Sequence, residues 1–277
     1  MEQDKYYPGI GHAVLLIVAI LVLEVMLAIP VSIAGVVLDL RFEEHPVLMA
    51  LVSLFAFGLV LAWGAKRTQK PATEIYPVTP VRGALLVPIV LTVIGLGILL
   101  SELDNVVRFT MPPPKWLLDF FKTLTAPENP VPWESFIVLV VVAPVTEELL
   151  FRGLILRGFL SRYSVATSVL VSALLFGVMH GNPWQFFSAT ILGIVFAWWF
   201  MRSRSLLPCL VGHSCSNAIV LVSSVLPFKI RGFNLEESFS PIQFQPAWFD
   251  LSGLMLLVVG LWLFAQLAPK EGAAAAC

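Results

Sequence analysis

Charge is scarce in this sequence. Only 13% of its residues are Asp, Glu, Lys or Arg, against 58% hydrophobic, and a chain of that composition keeps its apolar surface in lipid rather than in water. The 17 Lys and Arg nearly balance the 18 Asp and Glu, for a net charge of -1, which excludes the clustered basic surface that nucleic acid requires. Cysteine is scarcer still. Cys209 and Cys215 fall in an apolar stretch and Cys277 is terminal, so no disulfide framework is present and the cysteines carry no compartment information. Cys277 is also misplaced for a C-a-a-X prenylation signal, which needs the Cys four from the end. The run Ala273 to Ala276 before it reads as a disordered tail. A G-x-x-x-x-G-K phosphate loop is missing too, which argues against an ATP-driven transporter. We find no internal repeat and no soluble domain, so residues 1–277 are expected to form a single integral membrane domain.

What the sequence has in abundance is long apolar runs. A helix crossing the hydrocarbon needs about 20 apolar residues, and on that measure candidate spans fall at about 12–37, 47–65, 82–101, 135–160, 163–181, 184–201, 206–226 and 248–268. The expected fold is all-α, about eight transmembrane helices enclosing a polar cavity. The first run, about 26 residues, is too long for a signal-peptide core and lacks a small-residue cleavage site, so it reads as a retained span. Pro71, Pro77 and Pro80 mark the second connection as a loop. In the stretch Asp104 to Pro132, a Met-Pro-Pro-Pro break at 111–114 precedes Trp116, Leu117, Phe120 and Phe121 at helical spacing, the pattern of a helix lying in the membrane interface. If all eight segments span, 11 Lys and Arg fall on one side and 6 on the other, which places both termini in the cytoplasm. The bilayer would be the cell membrane in a prokaryote and the endoplasmic reticulum in a eukaryote. Trp184, Trp198, Trp199, Trp248 and Trp262 read as aromatic belts at span ends, and His12 and His45 as interfacial.

Few ionisable groups lie inside these spans. Glu24 and Asp250 sit toward span ends, and the rest are Glu147, Glu148, Arg152, His180 and His213. A charge near the bilayer centre costs at least about 2.5 kcal/mol, so such groups are functional candidates by default. Glu148 and Arg152 stand one turn apart on one helix face and can pair, as can His213 and Asn217. Glu147 is turned by about 100° from Glu148, which leaves it free to face a cavity. The bland alternative is a neutralising ion pair that only fixes packing, with His213 and Asn217 as interhelical hydrogen-bond glue. Against it, a carboxylate, two imidazoles and a carboxamide are the groups needed to activate water and stabilise an oxyanion. Ser214, Cys215 and Ser216 point to other helix faces, which speaks against a covalent nucleophile. Measured from the presumed span ends at 1.5 Å per residue, Glu147, His180 and His213 lie about 20, 25 and 10 Å deep, so spacing alone permits a common site without aligning it.

These residues carry a pattern. Glu147-Glu148 with Arg152 matches E-E-x-x-x-R, Phe176 to His180 matches F-x-x-x-H, and His213 to Asn217 matches H-x-x-x-N. In this order on successive spans, over about 135–220, they resemble the CPBP family of CAAX proteases and bacteriocin-processing enzymes, intramembrane proteases that include the Ras-converting CAAX endopeptidases. The resemblance implies an intramembrane endopeptidase in which Glu147 is the general base and His180 helps hold and deprotonate the water. It implies that His213 and Asn217 stabilise the oxyanion, with Glu148, Arg152 and Phe176 in support. The implied substrate is a lipidated, CAAX-like or other hydrophobic membrane-associated peptide, handled by a protein expected to be monomeric. Glu147, His180 and His213 would also make a His₂Glu zinc set. A metal-free site is the favoured expectation, since no H-E-x-x-H pair is present and Asn217 suits an oxyanion hole better. The rival from another class is a membrane scaffold or a proton- or ion-coupled transporter that uses the same buried groups as a relay. It lacks the repeat and the paired broken helices usual in transporters.

Overall fold

A computed structural model of the chain describes residues 7–38, 46–115, 133–223, 226–235 and 242–269. Eight long helical runs account for most of them. We label them α1 (Ile10–Val37), α2 (Pro46–Thr68), α3 (Leu86–Thr110), α4 (133–160), α5 (Val165–Met179), α6 (Pro183–Ser203), α7 (Leu207–Ser223) and α8 (Ala247–Leu267). Five helical stretches, Ile10–Val37, Val47–Thr68, Gly83–Thr110, Pro183–Ser203 and Ala247–Leu267, are long and apolar enough to cross a membrane, and α5 and α7 are shorter apolar helices. Leu15, Val25, Met26 and Ile33 along α1 and Leu51 and Phe55 on α2 are more than half exposed, as side chains facing acyl tails would be. The chain is an all-α, multi-pass integral membrane protein.

The eight runs coincide with the eight expected spans, with differences at their ends. The third span does not stop at 101 but continues as helix to Thr110, so Asp104 and Arg108 pair one turn apart on it at 2.6 Å instead of opening the connection. Trp116, Leu117, Phe120 and Phe121 of the expected interfacial helix lie outside the described residues, as do His45 and the Ala273–Cys277 tail. Local chemistry explains several boundaries. Ser164 Oγ accepts the Thr167 N–H at 3.2 Å and so caps the start of α5. Asn182 does the same for Trp184 at the start of α6, with Pro183 in the first turn. Between the two, Gly181 takes a φ of +61°, the left-handed turn that lets α6 fold back on α5.

Packing follows the rule for helices in lipid, where small residues allow close backbone approach. A Cβ on Gly95 of α3 would lie 2.6 Å from the carbonyl oxygen of Gly253 on α8, so these two helices meet backbone to backbone. The core has two parts. One joins Leu16, Ile20, Phe57, Leu150, Phe151 and Phe159, and the other joins Ile89, Leu156, Phe196, Trp199, Cys209 and Phe264. Trp199 therefore departs from the aromatic belt expected of it. It is fully buried and stacks between Phe196 and Phe264, at 5.5 and 5.3 Å between ring centroids, because α6 runs through the middle of the bundle.

Candidate active site

The site is built mainly on α4, which is not a uniform α-helix. It passes through π-helical turns at Val138–Val142 and Leu149–Leu156, on either side of Ala143–Glu148. Wide turns of this kind recur at functional sites because they expose backbone groups and re-aim side chains. Pro144 makes one consequence definite. The Ala143 N–H donates to Val138 O, five residues back, and in that register the donor for Leu139 O would be Pro144, which has none. That carbonyl instead accepts Asn217 Nδ2 from α7 at 2.8 Å. Thr146 adds to the bend by returning its hydroxyl to Val142 O at 2.9 Å. Pro144 thus widens the helix and frees the carbonyl that ties it to α7.

Glu148 is completely buried, and its Oε1 has two partners. Arg152 Nη1 donates to it at 2.9 Å, the pairing read from the i, i+4 spacing. His213 Nδ1 lies 2.8 Å from the same oxygen, a contact across 65 residues that spacing does not show. Arg152, 1% exposed, also donates through Nη2 to the Gly193 carbonyl at 3.2 Å. Its guanidinium carbon sits 4.6 Å from the Phe176 ring centroid and 5.3 Å from that of Phe196. A buried cation held by a carboxylate, a carbonyl and two aromatic faces is well compensated. Its neighbour Glu147 is turned to another side, as the 100° rotation predicts, and is 19% exposed. Glu147 Oε2 has no hydrogen-bond partner among the described residues and lies 3.9 Å from His213 Nε2.

His213 is thereby fixed at one end of its ring. Nδ1 donates to the Glu148 carboxylate, which orients the ring. Nε2 is left facing Glu147. The ring is also packed by Phe196, tilted at 5.6 Å, and by the edge of Phe176 at 5.7 Å. Gly212 makes room for this, because a Cβ there would fall 2.3 Å from the Trp199 ring. The depth mismatch between His213 and Glu147 disappears for a local reason. Ser205 and Leu206, just before α7, are fully buried and bonded to the 77–79 loop through Thr79 O and Pro77 O, so α7 starts inside the protein rather than at its edge.

His180 ends α5, and its Nδ1 lies 2.9 Å from Phe176 O, which leaves Nε2 as the free ring nitrogen. It packs edge-on against Phe176 at 5.0 Å, so His180 and His213 both contact that one ring. All seven residues singled out in the sequence therefore lie around Phe176 and the α4–α7 contact. The closest set is Glu147, Glu148, Arg152 and His213, with Asn217 one turn beyond on Leu139. Sequence reading missed the second partner of Glu148, the Gly193 and Leu139 carbonyls, and Phe196. Of these only the Leu139 carbonyl had a signal, Pro144 five residues on. Among the described residues no three His, Cys, Asp or Glu side chains group as a metal site would need, so Glu147, His180 and His213 do not fit a zinc ion as arranged, and no step below passes through a metal.

The fold and site define an integral membrane protein with a buried carboxylate–imidazole–guanidinium cluster between its fourth and seventh helices. Comparison with known proteins is concordant. Residues 129–219 match the profile of the type II CAAX prenyl endopeptidase Rce1-like family, a segment that holds all three motifs. Two curated proteins align over the same length of chain, about a third of it. One, from Bacillus subtilis (strain 168), bears the name "Putative membrane peptidase YdiL" and is 25% identical over 93 residues, 34% of this chain and 38% of that protein. The other, UPF0177 protein YbdI of Lactococcus lactis subsp. lactis (strain IL1403), is 28% identical over 95 residues, 34% of this chain and 51% of that protein. The alignments thus span about half or less of each relative. No solved structure matches the chain.

Proposed function

We propose that this protein is an intramembrane endopeptidase of the CAAX-protease type, in which Glu147 activates water. The observation that carries the reading is the pairing of an unpartnered, largely buried carboxylate oxygen, Glu147 Oε2, with an imidazole nitrogen 3.9 Å away whose other nitrogen is held by Glu148. That separation is too long for a direct hydrogen bond. It suits two groups that act on one reacting centre from different sides. Glu147 takes a proton from the attacking water. His180, anchored through Nδ1, presents Nε2 to help hold and deprotonate that water. On the other side His213, held through Nδ1 by Glu148, donates Nε2–H to the developing oxyanion, and the second Asn217 N–H adds to it. Glu148 and Arg152 orient His213 and touch no substrate. The substrate class that suits a bundle of apolar helices is a lipidated or hydrophobic membrane-associated peptide, and the Rce1-like match of residues 129–219 favours a prenylated C-terminus within that class.

The test is direct. Purified full-length protein in liposomes is given prenylated and unprenylated CAAX-like peptides and a hydrophobic transmembrane peptide, with products read by mass spectrometry. Cleavage by the wild type and none by a folded Glu147→Ala variant supports the reading. No cleavage of any peptide, with proton-coupled flux that disappears in Glu147→Ala, supports the relay instead and removes the peptidase.

A further inference from the structure

A cavity separate from the Glu147 cluster lies at the C-terminal end of α4. It encloses about 450 Å³ where the chain before α1, the ends of α2, α4 and α6 and the 69–76 connection come together. Its lining is mixed: Ile75, Leu154 and Phe200, all nearly fully buried, and Leu160 form the apolar part, and Tyr7 and Thr68 belong to the polar part. Its mouth carries three cations, Lys70, Arg157 and Arg204, with Ser161 beside them. The anion that faces these cations is Glu74, 3.6 Å from Arg157 and bonded to Lys70. One carboxylate against three cations leaves the mouth with a net positive charge.

Two features suggest that the charges are placed for an external anion. Arg157 and Arg204 line the same cavity, so an anion bound there would offset two like charges at once. Arg204 is also held in the left-handed region, at φ 55°, where it closes α6 through its N–H to Phe200 O. Glycine or asparagine is the ordinary occupant of that position, and an arginine there accepts backbone strain that places a cation at the cavity mouth. Its guanidinium makes no hydrogen bond or ion pair among the described residues. Three cations around a cavity of mixed polar and apolar lining in a membrane protein suit the phosphate group of a lipid.

We propose that this cavity binds a phosphate group, that of an anionic phospholipid, through Arg157, Arg204 and Lys70, with the start of the acyl chains along Leu154, Leu160 and Phe200. The site is separate from the Glu147 cluster, and the proposal does not depend on the peptidase reading.

The experiment uses full-length protein in neutral detergent and follows the thermal midpoint and binding by fluorescence. The probes are a short-chain phosphatidylglycerol, a short-chain phosphatidylcholine and inorganic phosphate. Saturable stabilisation by phosphatidylglycerol but not by phosphatidylcholine is expected. An equal effect of millimolar inorganic phosphate would assign the same cations to a soluble phosphate and overturn the lipid source. The double variant Arg157→Gln/Arg204→Gln should bind phosphatidylglycerol about tenfold or more weakly, the effect of losing two cations near a phosphate, whereas Lys115→Gln should bind like the wild type. Should the double variant fail to fold, Glu74→Gln decides, because removal of the competing carboxylate should tighten binding. Unchanged affinity in Glu74→Gln, or phosphatidylglycerol binding that both arginine substitutions leave intact, overturns the proposal.

Discussion

Glu148 Oε1 accepts from both Arg152 and His213, at 2.9 and 2.8 Å, and so joins the first motif of the site to the third within one buried ion cluster. Through that oxygen the residue beside the proposed base controls the ring that faces it. Glu147 and Glu148, adjacent in sequence and alike in chemistry, have different surroundings: Glu148 is fully buried with Oε1 held by two partners and Oε2 by none, whereas Glu147 is 19% exposed and its Oε2 faces His213 without a hydrogen bond among the described residues.

That difference sets the first prediction. Glu147→Gln keeps the shape and hydrogen-bonding capacity of the side chain but cannot accept the water proton. It is expected to reduce peptide hydrolysis by about 10² to 10⁴, the range for a lost general base, with the thermal midpoint unchanged. Cleavage assays beside a thermal melt check both halves.

Loss of Glu148 should act first on stability. Glu148→Ala leaves Arg152 as a buried cation without its carboxylate, at an expected loss of about 3 to 5 kcal/mol. Replacing both members, Glu148→Gln with Arg152→Met, removes the stranded charge and should recover much of the stability. Activity should stay low, because His213 has lost the carboxylate that orients it. A double variant with wild-type turnover would refute the positioning role.

Asn217 has both a tether to Leu139 and a proposed catalytic N–H, and two substitutions distinguish them. Asn217→Asp keeps the size but removes both N–H donors and places a carboxylate opposite the Leu139 carbonyl, so it should lower the rate and the stability together. Pro144→Ala restores a donor in the helix that competes for Leu139 O, and it should alter the rate through Asn217 while leaving Glu147, His180 and His213 in place. The ratio of kcat to KM effects, measured on one peptide, reports the difference.

Tyr76 offers a pH test away from the membrane spans. Burial pushes its phenol up to about 12 from an ordinary value of 10.0, and its hydroxyl donates to Leu61 O at 3.1 Å. The folded state therefore holds the proton more tightly than the unfolded state. The stability this provides is complete below pH 10 and falls as pH rises from there through about 12. Tyr76→Phe should remove that part of the alkaline decline, at a loss near neutrality of about 0.5 to 1.5 kcal/mol for one hydrogen bond. Thermal melts across pH 9 to 12 compare the two.

A metal-free reaction predicts that extensive chelation of the purified protein leaves hydrolysis intact and that elemental analysis finds less than one zinc per chain. One zinc per chain, lost together with activity and restored together, would show that the carboxylate–imidazole set closes on an ion when one is supplied.

The sequence by itself determined that the protein is helical and membrane-embedded, where the eight long helical runs among its described residues lie, and which polar residues stand apart from that background. These are local matters. An apolar run of membrane length has one satisfactory backbone conformation in lipid, since only a helix pairs its own N–H and C=O groups there, and a separation of four residues leaves Glu148 within reach of Arg152 in an α-helical or a π-helical turn alike. Tertiary structure alone decided that Glu148 is shared with His213, that Asn217 is bonded to a carbonyl opened by Pro144, that Trp199 is in the core rather than at the interface, and that Phe176 lies between the two imidazoles. Each depends on how far α7 is recessed and how closely α4, α5 and α6 approach, distances set by small residues and wide helical turns on different segments. Contacts of that kind join positions tens of residues apart, and no periodicity in one stretch of chain encodes them.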